Sequence, residues 1–284
     1  MSNSLLDFSQ RPELSPFARV VADVEAAAEP IGVHTLIVGA FARDLHLLYR
    51  HGVATRRATE DVDIALAMPD WSTFETLRAR LIESGNFQAS GTGLQRLRHR
   101  RDLPVDLVPF GRLETADRTI VWPPRGDIVM DVFGFREALA SAHQILLPEN
   151  VRARLVSLPA LALLKIVCWH DRHYRYPGKD AHDLNLITRN YLIAGNEDRL
   201  WHEFASWSQE EDFDFEIAGA RMLGHDIRSL LDDVGIQRIA TILSEQGDRE
   251  TPGLLPSEMS AYEPERARAL LEAVLHELRK RVQP

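Results

Sequence analysis

The chain has 284 residues, 45% hydrophobic and 26% charged, a balance that fits a folded protein of one large or two modest domains and excludes general disorder. A net charge of −9 excludes wholesale attraction to nucleic acid, so any polynucleotide contact needs a local basic patch. The single cysteine, Cys168, excludes a disulfide framework or a cysteine-rich zinc site, and its apolar setting reads as a buried structural thiol.

The opening MSNSLLDFSQ lacks a basic segment followed by an apolar core, so it does not read as a secretion signal. The longest nearly apolar run, LPALALLKIVCW, is too short for a bilayer and contains a lysine. A cytoplasmic protein without membrane contact is expected.

Along the chain, residues 15–29 read as a helix with Ser15 as N-cap and Pro16 in the first turn. VHTLIV, 33–38, is a buried strand that runs into Gly39. GAFARDLHLLYRHG then carries Phe41, Leu45, Leu48 and Tyr49 at helical spacing and stops at Gly52. TEDVDIAL, 59–66, is a second strand, followed by a helix capped by Asp70 and closed by Gly85. LQRLRHRR and LPVDLVPFG are two short strands joined tightly around Asp102. Residues 118–156 hold further short strands, with HQILLP and VRARLV forming a hairpin. Beyond them the pattern turns helical, over 158–171, 179–190, 198–208, 213–223, 235–246 and 263–281. The expectation is an α/β (strictly α+β) core with a small mixed sheet over 1–156 and a helical domain over 157–284.

Strands usually avoid aspartate, yet TEDVDIAL contains two. Side chains alternate along a strand, so Asp61 and Asp63 project to one side, about 7 Å apart. They bind a cation between them or form a strand-end pair in water. A third carboxylate, Asp106, stands among Val105, Leu107 and Val108, where an uncompensated charge is costly. Three such oxygen donors suit Mg2+ or Mn2+, and two ions of that kind can clamp an in-line displacement at phosphorus. Gly39, without a Cβ, lets backbone approach a ligand closely, and the helix that starts there turns free N–H groups towards phosphate. Lys165 is the only charge in twelve apolar residues, and a buried ammonium demands an anion. A triphosphate would serve, and so would a nearby acid such as Asp183.

Together, Gly39 followed by Arg43 and Asp44, the TEDVDIA pair, the aspartate of PVDLVPF and LLKIVCWHDRHYRYPGKDAHDL resemble the AbiEii-type nucleotidyltransferases of the DNA polymerase β-like superfamily, over roughly residues 33–190. The resemblance implies a polymerase β-like nucleotidyltransferase core and transfer of a nucleoside monophosphate from an NTP to an acceptor hydroxyl, with release of pyrophosphate. It implies Asp61, Asp63 and Asp106 as metal-binding catalytic carboxylates. Gly39, Ala40, Arg43, Lys165, Lys179 and Asp183 would surround the nucleotide, with Asp183 supporting the site and Asp106 also the best candidate general base. It further implies a toxin of a bacterial toxin–antitoxin or phage-defence pair, with tRNA or other RNA as acceptor and a cognate antitoxin protein as partner. The corner reads Gly39-Ala40 where the superfamily usually has Gly-Ser or Gly-Gly, and the chain beyond about residue 195 matches nothing named.

Other readings stand beside this one. The doublets His170-Asp171 and His182-Asp183, with His143 and Asp226 or Asp232, raise an HD-type phosphohydrolase. The ribbon Arg96, Arg98, His99, Arg100 and Arg101 reads as solvated surface, whereas Arg172, Arg175 and Lys179, beside the Lys165 helix, lean towards function. Two alternative functions remain: transfer to a small cationic, aminoglycoside-like acceptor, which the acidic charge favours, and a degenerate nucleotide binder without turnover, suggested by Ala40.

Overall fold

The computed structural model describes residues 5–55, 59, 61–91, 93–100, 102–245, 247–248 and 251–280. Arg101 of the Arg96–Arg101 ribbon lies outside them. The chain divides into two compact units: Met1–Asp44 with Arg56–Ser157, and Leu45–Thr55 with Leu158–Pro284. A single cut at residue 156 therefore misses one feature. Leu45–Thr55, read as the end of a core helix, belongs to the second unit, and Leu45, His46 and Leu47 are buried.

The first unit is built on an eight-stranded mixed sheet. In chain order its elements are β1 (Leu6–Asp7), α1 (Ser15–Ala28), β2 (His34–Val38), α2 (Gly39–Asp44), β3 (Val62–Met68), α3 (Trp71–Glu83), β4 (Phe87–Ala89), β5 (Arg96–His99) and β6 (Leu103–Gly111). β7 (Thr119–Val121), β8 (Val129–Asp131), α4 (Phe135–Ala140), β9 (His143–Leu147) and β10 (Val151–Leu155) follow. The strand order is β1-β9-β10-β2-β3-β6-β5-β4, with β7 and β8 as a separate pair. The sheet is larger than expected because the β9–β10 hairpin adds to one side of β2 and β4 adds beyond β5.

Alternation decides which face is covered. Val62, Ile64, Leu66 and Met68 of β3, Val105 and Leu107 of β6, and Leu97 of β5 are all buried. Asp63, Asp106 and Arg96 occupy the alternate positions and are only partly covered. Asp70 caps α3 by accepting from the Thr73 N–H at 2.8 Å, as its position before the helix predicts. Ser15 does not cap α1. A 3-10 turn at Pro12–Leu14 leads directly into that helix, so Ser15 is already inside it and Leu14 occupies the cap position.

The second unit is helical: α5 (Leu158–Arg172), α6 (Lys179–Asn190), α7 (Glu197–His202), α8 (Phe215–Ser229), α9 (Asp233–Ser244), α10 (Leu254–Met259) and α11 (Pro264–Arg279). Leu158 and the run Ala160–Val167 of α5 are buried, as a helix apolar on all sides requires. α8 extends past the expected end at 223 because Gly224 is a packing residue. A Cβ there would stand 2.3 Å from the Val274 carbonyl oxygen of α11, so the glycine permits a close helix–helix approach. No helix among the described residues is long and apolar enough to cross a membrane.

Candidate active site

One row of residues crosses the first unit's sheet. Antiparallel β2–β3 sets Val38 opposite Asp63, parallel β3–β6 sets Asp63 opposite Asp106, and antiparallel β5–β6 sets Arg96 opposite Asp106. Directly opposed residues point to the same face, about 5 Å apart from strand to strand. Asp63, Asp106 and Arg96 therefore share a face, and Asp61, just before β3, is two residues along from Asp63. The register sets Asp63 beside Asp106, with Asp61 two residues before it.

The Arg96 guanidinium forks onto Asp106: Nε donates to Oδ1 at 2.7 Å and Nη2 donates to Oδ2. Nη2 also lies 3.6 Å from Asp61 Oδ2. The hydrogen bonds that Arg96 donates to Asp106, with the surrounding carboxylates, hold the Arg96 pKa above the ordinary arginine range. The side chains of Arg96, Asp61 and Asp106 are 37%, 22% and 17% exposed, so this charge cluster meets solvent without being loose in it. Arg96 is thus no idle member of a solvated ribbon. The β5–β6 register, with His99 opposite Leu103, is what sets 96 opposite 106.

Gly39, with φ of +70°, starts α2 at the end of β2. A Cβ at this position would fall 1.9 Å from Asp63 Oδ2. The glycine is needed both for its left-handed backbone and for the space that the carboxylate fills. Ala40 is half-buried beside it. Arg43 is buried, with Nη2 and Nε on the carboxylate of its neighbour Asp44 at 2.6 and 2.9 Å, and Thr59 donates to the other Asp44 oxygen.

The remaining expected residues form a separate group in the second unit. Lys165 Nζ lies 2.9 Å from Asp180 Oδ1 and 2.5 Å from Asp183 Oδ2, and all three residues are buried. Arg172 completes the cluster, its Nε donating to Asp180 Oδ2 at 3.0 Å. Burial opposes charge on Lys165, but Asp183 and Asp180 more than offset it and hold its pKa above the usual lysine range. Burial also works against the Asp180 carboxylate, yet Lys165 and Arg172 bring it down to about 2. Asp180 was not singled out from sequence, although its spacing of three from Asp183 puts both on one helix face. Lys179 heads α6 and is exposed. Cys168, expected to be buried, is of intermediate exposure, and the burial of its thiol pushes the pKa up to about 11.

Residues 25–267 match the family described as nucleotidyl transferase AbiEii toxin, type IV toxin–antitoxin system. The chain belongs to the AbiEii nucleotidyltransferase family. It is accordingly a nucleotidyltransferase, and the stretch matched extends well beyond the motifs legible by eye. No curated protein matches the chain. Among solved structures it is similar to ANT(2'')-Ia in complex with adenylyl-2''-tobramycin, at 16% identity over 69% of this chain and 99% of that one, TM-score 0.37. An antigenic nucleotidyltransferase-like protein from Paracoccidioides brasiliensis gives 17% identity over 68% and 90%, TM-score 0.39. The Thermotoga maritima CCA-adding enzyme complexed with tRNA gives 11% over 95% and 83%, TM-score 0.24.

Among the described residues of this AbiEii-family protein, no group of three or more His, Cys, Asp or Glu side chains stands ready to hold a metal ion. For the HD-type reading the cause is visible: Asp183 is bound to Lys165, and Asp226 accepts from Arg199 at 2.6 and 2.8 Å and from the Tyr191 hydroxyl at 2.6 Å. For the aspartate row, both oxygens of Asp106 are engaged by Arg96. The donor chemistry of the row still fits a hard divalent cation, with carboxylate oxygens on one sheet face.

Proposed function

We propose that the chain is a divalent-metal-dependent nucleotidyltransferase that moves a nucleoside monophosphate from an NTP to the hydroxyl of an RNA acceptor, with tRNA as the first candidate. The observation that supports this most is the shared face of Asp61, Asp63 and Asp106, with the Asp63 carboxylate against Gly39. Asp61 and Asp63 would hold Mg2+ or Mn2+, and Asp106 would join them. The bound ion would supply charge neutralisation on the phosphates and acidify the acceptor hydroxyl.

The chain's own residues account for the rest. Gly39 and Ala40, at the C-terminal end of β2, would line the approach of the triphosphate. The acceptor oxygen bonds to the α-phosphorus as the bond to the bridging oxygen of pyrophosphate breaks, and Asp106 takes the hydroxyl proton. Arg43, locked on Asp44, keeps the corner rigid. Lys165, matched by two carboxylates, holds α6 to α5, and Lys179 is exposed at the head of α6.

The family description as a toxin of type IV toxin–antitoxin systems supports a toxin role with a cognate antitoxin. The net charge of −9 favours a second acceptor class, a small polycation of aminoglycoside type. Magnesium-dependent pyrophosphate release from NTPs, with RNA or polycation added, separates the two. Full activity in Asp63→Asn would refute the site.

A further inference from the structure

Arg96 is a cation on the aspartate row, and it pairs with Asp106, a carboxylate that the proposed metal ion would need. Its fork takes both oxygens of Asp106 while its Nη2 approaches Asp61. The guanidinium takes one lone-pair direction on each Asp106 oxygen and sets a fixed positive charge beside the others, so a divalent cation binds that carboxylate less tightly while the fork is closed. We infer that Arg96 is a positioning residue that withholds Asp106 from metal in the free protein. This inference rests on the metal-dependent reading above.

The physical consequence is coupling between metal and nucleotide. With Arg96 on the row, a bare divalent ion meets two aspartates and a fixed positive charge, so its affinity for the free protein is weak. The NTP carries negative charge in with the ion. Its phosphates give the Arg96 guanidinium a second anionic partner, Asp106 is released, and the row closes on the ion with its base unmasked. At 37% exposure the Arg96 side chain has room to make that exchange.

Mn2+ binding to the full chain without nucleotide, followed by electron paramagnetic resonance, tests this. Arg96→Gln is expected to tighten Mn2+ binding by about tenfold or more, since a unit charge a few ångström from a divalent ion is worth that much even at the dielectric of water. Arg96→Lys, which keeps charge and loses the fork, should fall between the two and reads the effect if the glutamine variant does not fold. Adding Asp106→Asn to Arg96→Gln should abolish the gain. Arg98→Gln removes an equal charge from the same strand, where Arg98 pairs with Asp102, and should leave affinity unchanged. Wild-type binding that neither Arg96 variant tightens, a gain that survives Asp106→Asn, or an equal gain in Arg98→Gln would overturn the inference alone. Absence of Mn2+ binding in every variant would overturn the metal reading and the inference with it.

Discussion

The Asp63 carboxylate occupies the space that a side chain on residue 39 would require, with its Oδ2 1.9 Å from the position of a Cβ on Gly39. Strand β3 and the β2–α2 corner are therefore fitted to one another through a missing methyl group. Gly39→Ala must displace Asp63 and also adopt a φ of +70°, a strain of roughly 1–2 kcal/mol. The expected outcome is a folded protein with transfer activity down by about a hundredfold, the usual result of shifting a catalytic group by about 1 Å. Steady-state kinetics beside a thermal melt would show whether activity falls further than stability.

Lys165 shows the opposite situation, a buried charge already satisfied. Lys165→Met would leave Asp180 and Asp183 sharing a buried site without the ammonium between them. Breaking such a cluster from one side typically costs 3–5 kcal/mol. Urea unfolding at neutral pH should show a loss of about that size, and a loss under 1 kcal/mol would contradict the structural role.

The same cluster gives a pH dependence with a definite sign. Asp180 is held at about 2 in the folded protein, below its ordinary value, chiefly because Lys165 and Arg172 overcome the effect of burial. Its contribution is fully present above the unfolded pKa near 4 and is lost as pH falls from about 4 towards 2. Asp180→Asn should be less stable at pH 7, and its stability should decline less steeply over that acidic window. Parallel denaturation curves at several pH values would test this.

Asp226 separates structural acids from the proposed site. It accepts from both Arg199 nitrogens and from Tyr191, whose hydroxyl is held well above the normal tyrosine pKa by burial and by this carboxylate. Asp226→Asn is expected to lower stability by about 1–3 kcal/mol while leaving the metal dependence of transfer unchanged. An altered metal requirement would revive the HD-type reading.

Much of this architecture is legible in sequence because the signals are local. Asp70 before an apolar helix, the strand that ends in Gly39 and the hairpin across 143–155 each depend on residues a few positions apart. The aspartate row was also legible, since strand alternation alone gathers Asp61 and Asp63. Harder features depend on pairing across the sheet or between helices. Arg96 read as surface because its partner is across a hairpin, Gly224 read as near a helix end because its partner is Val274, and nothing local to Leu45–Thr55 marks it as part of the second unit. Asp180 is hidden by Asp183, three residues on, which the sequence offers beside a triphosphate as the anion for Lys165.

The central claim is tested most directly by label transfer from each of the four α-labelled NTPs to total bacterial RNA with magnesium, comparing the wild type with Asp61→Ala/Asp63→Ala. The account predicts labelled RNA and pyrophosphate with the wild type and neither with the double variant. Equal labelling by both proteins would contradict the assignment of the catalytic row, and no labelling of RNA by the wild type, with pyrophosphate released when a polycationic acceptor is supplied, would contradict the RNA acceptor.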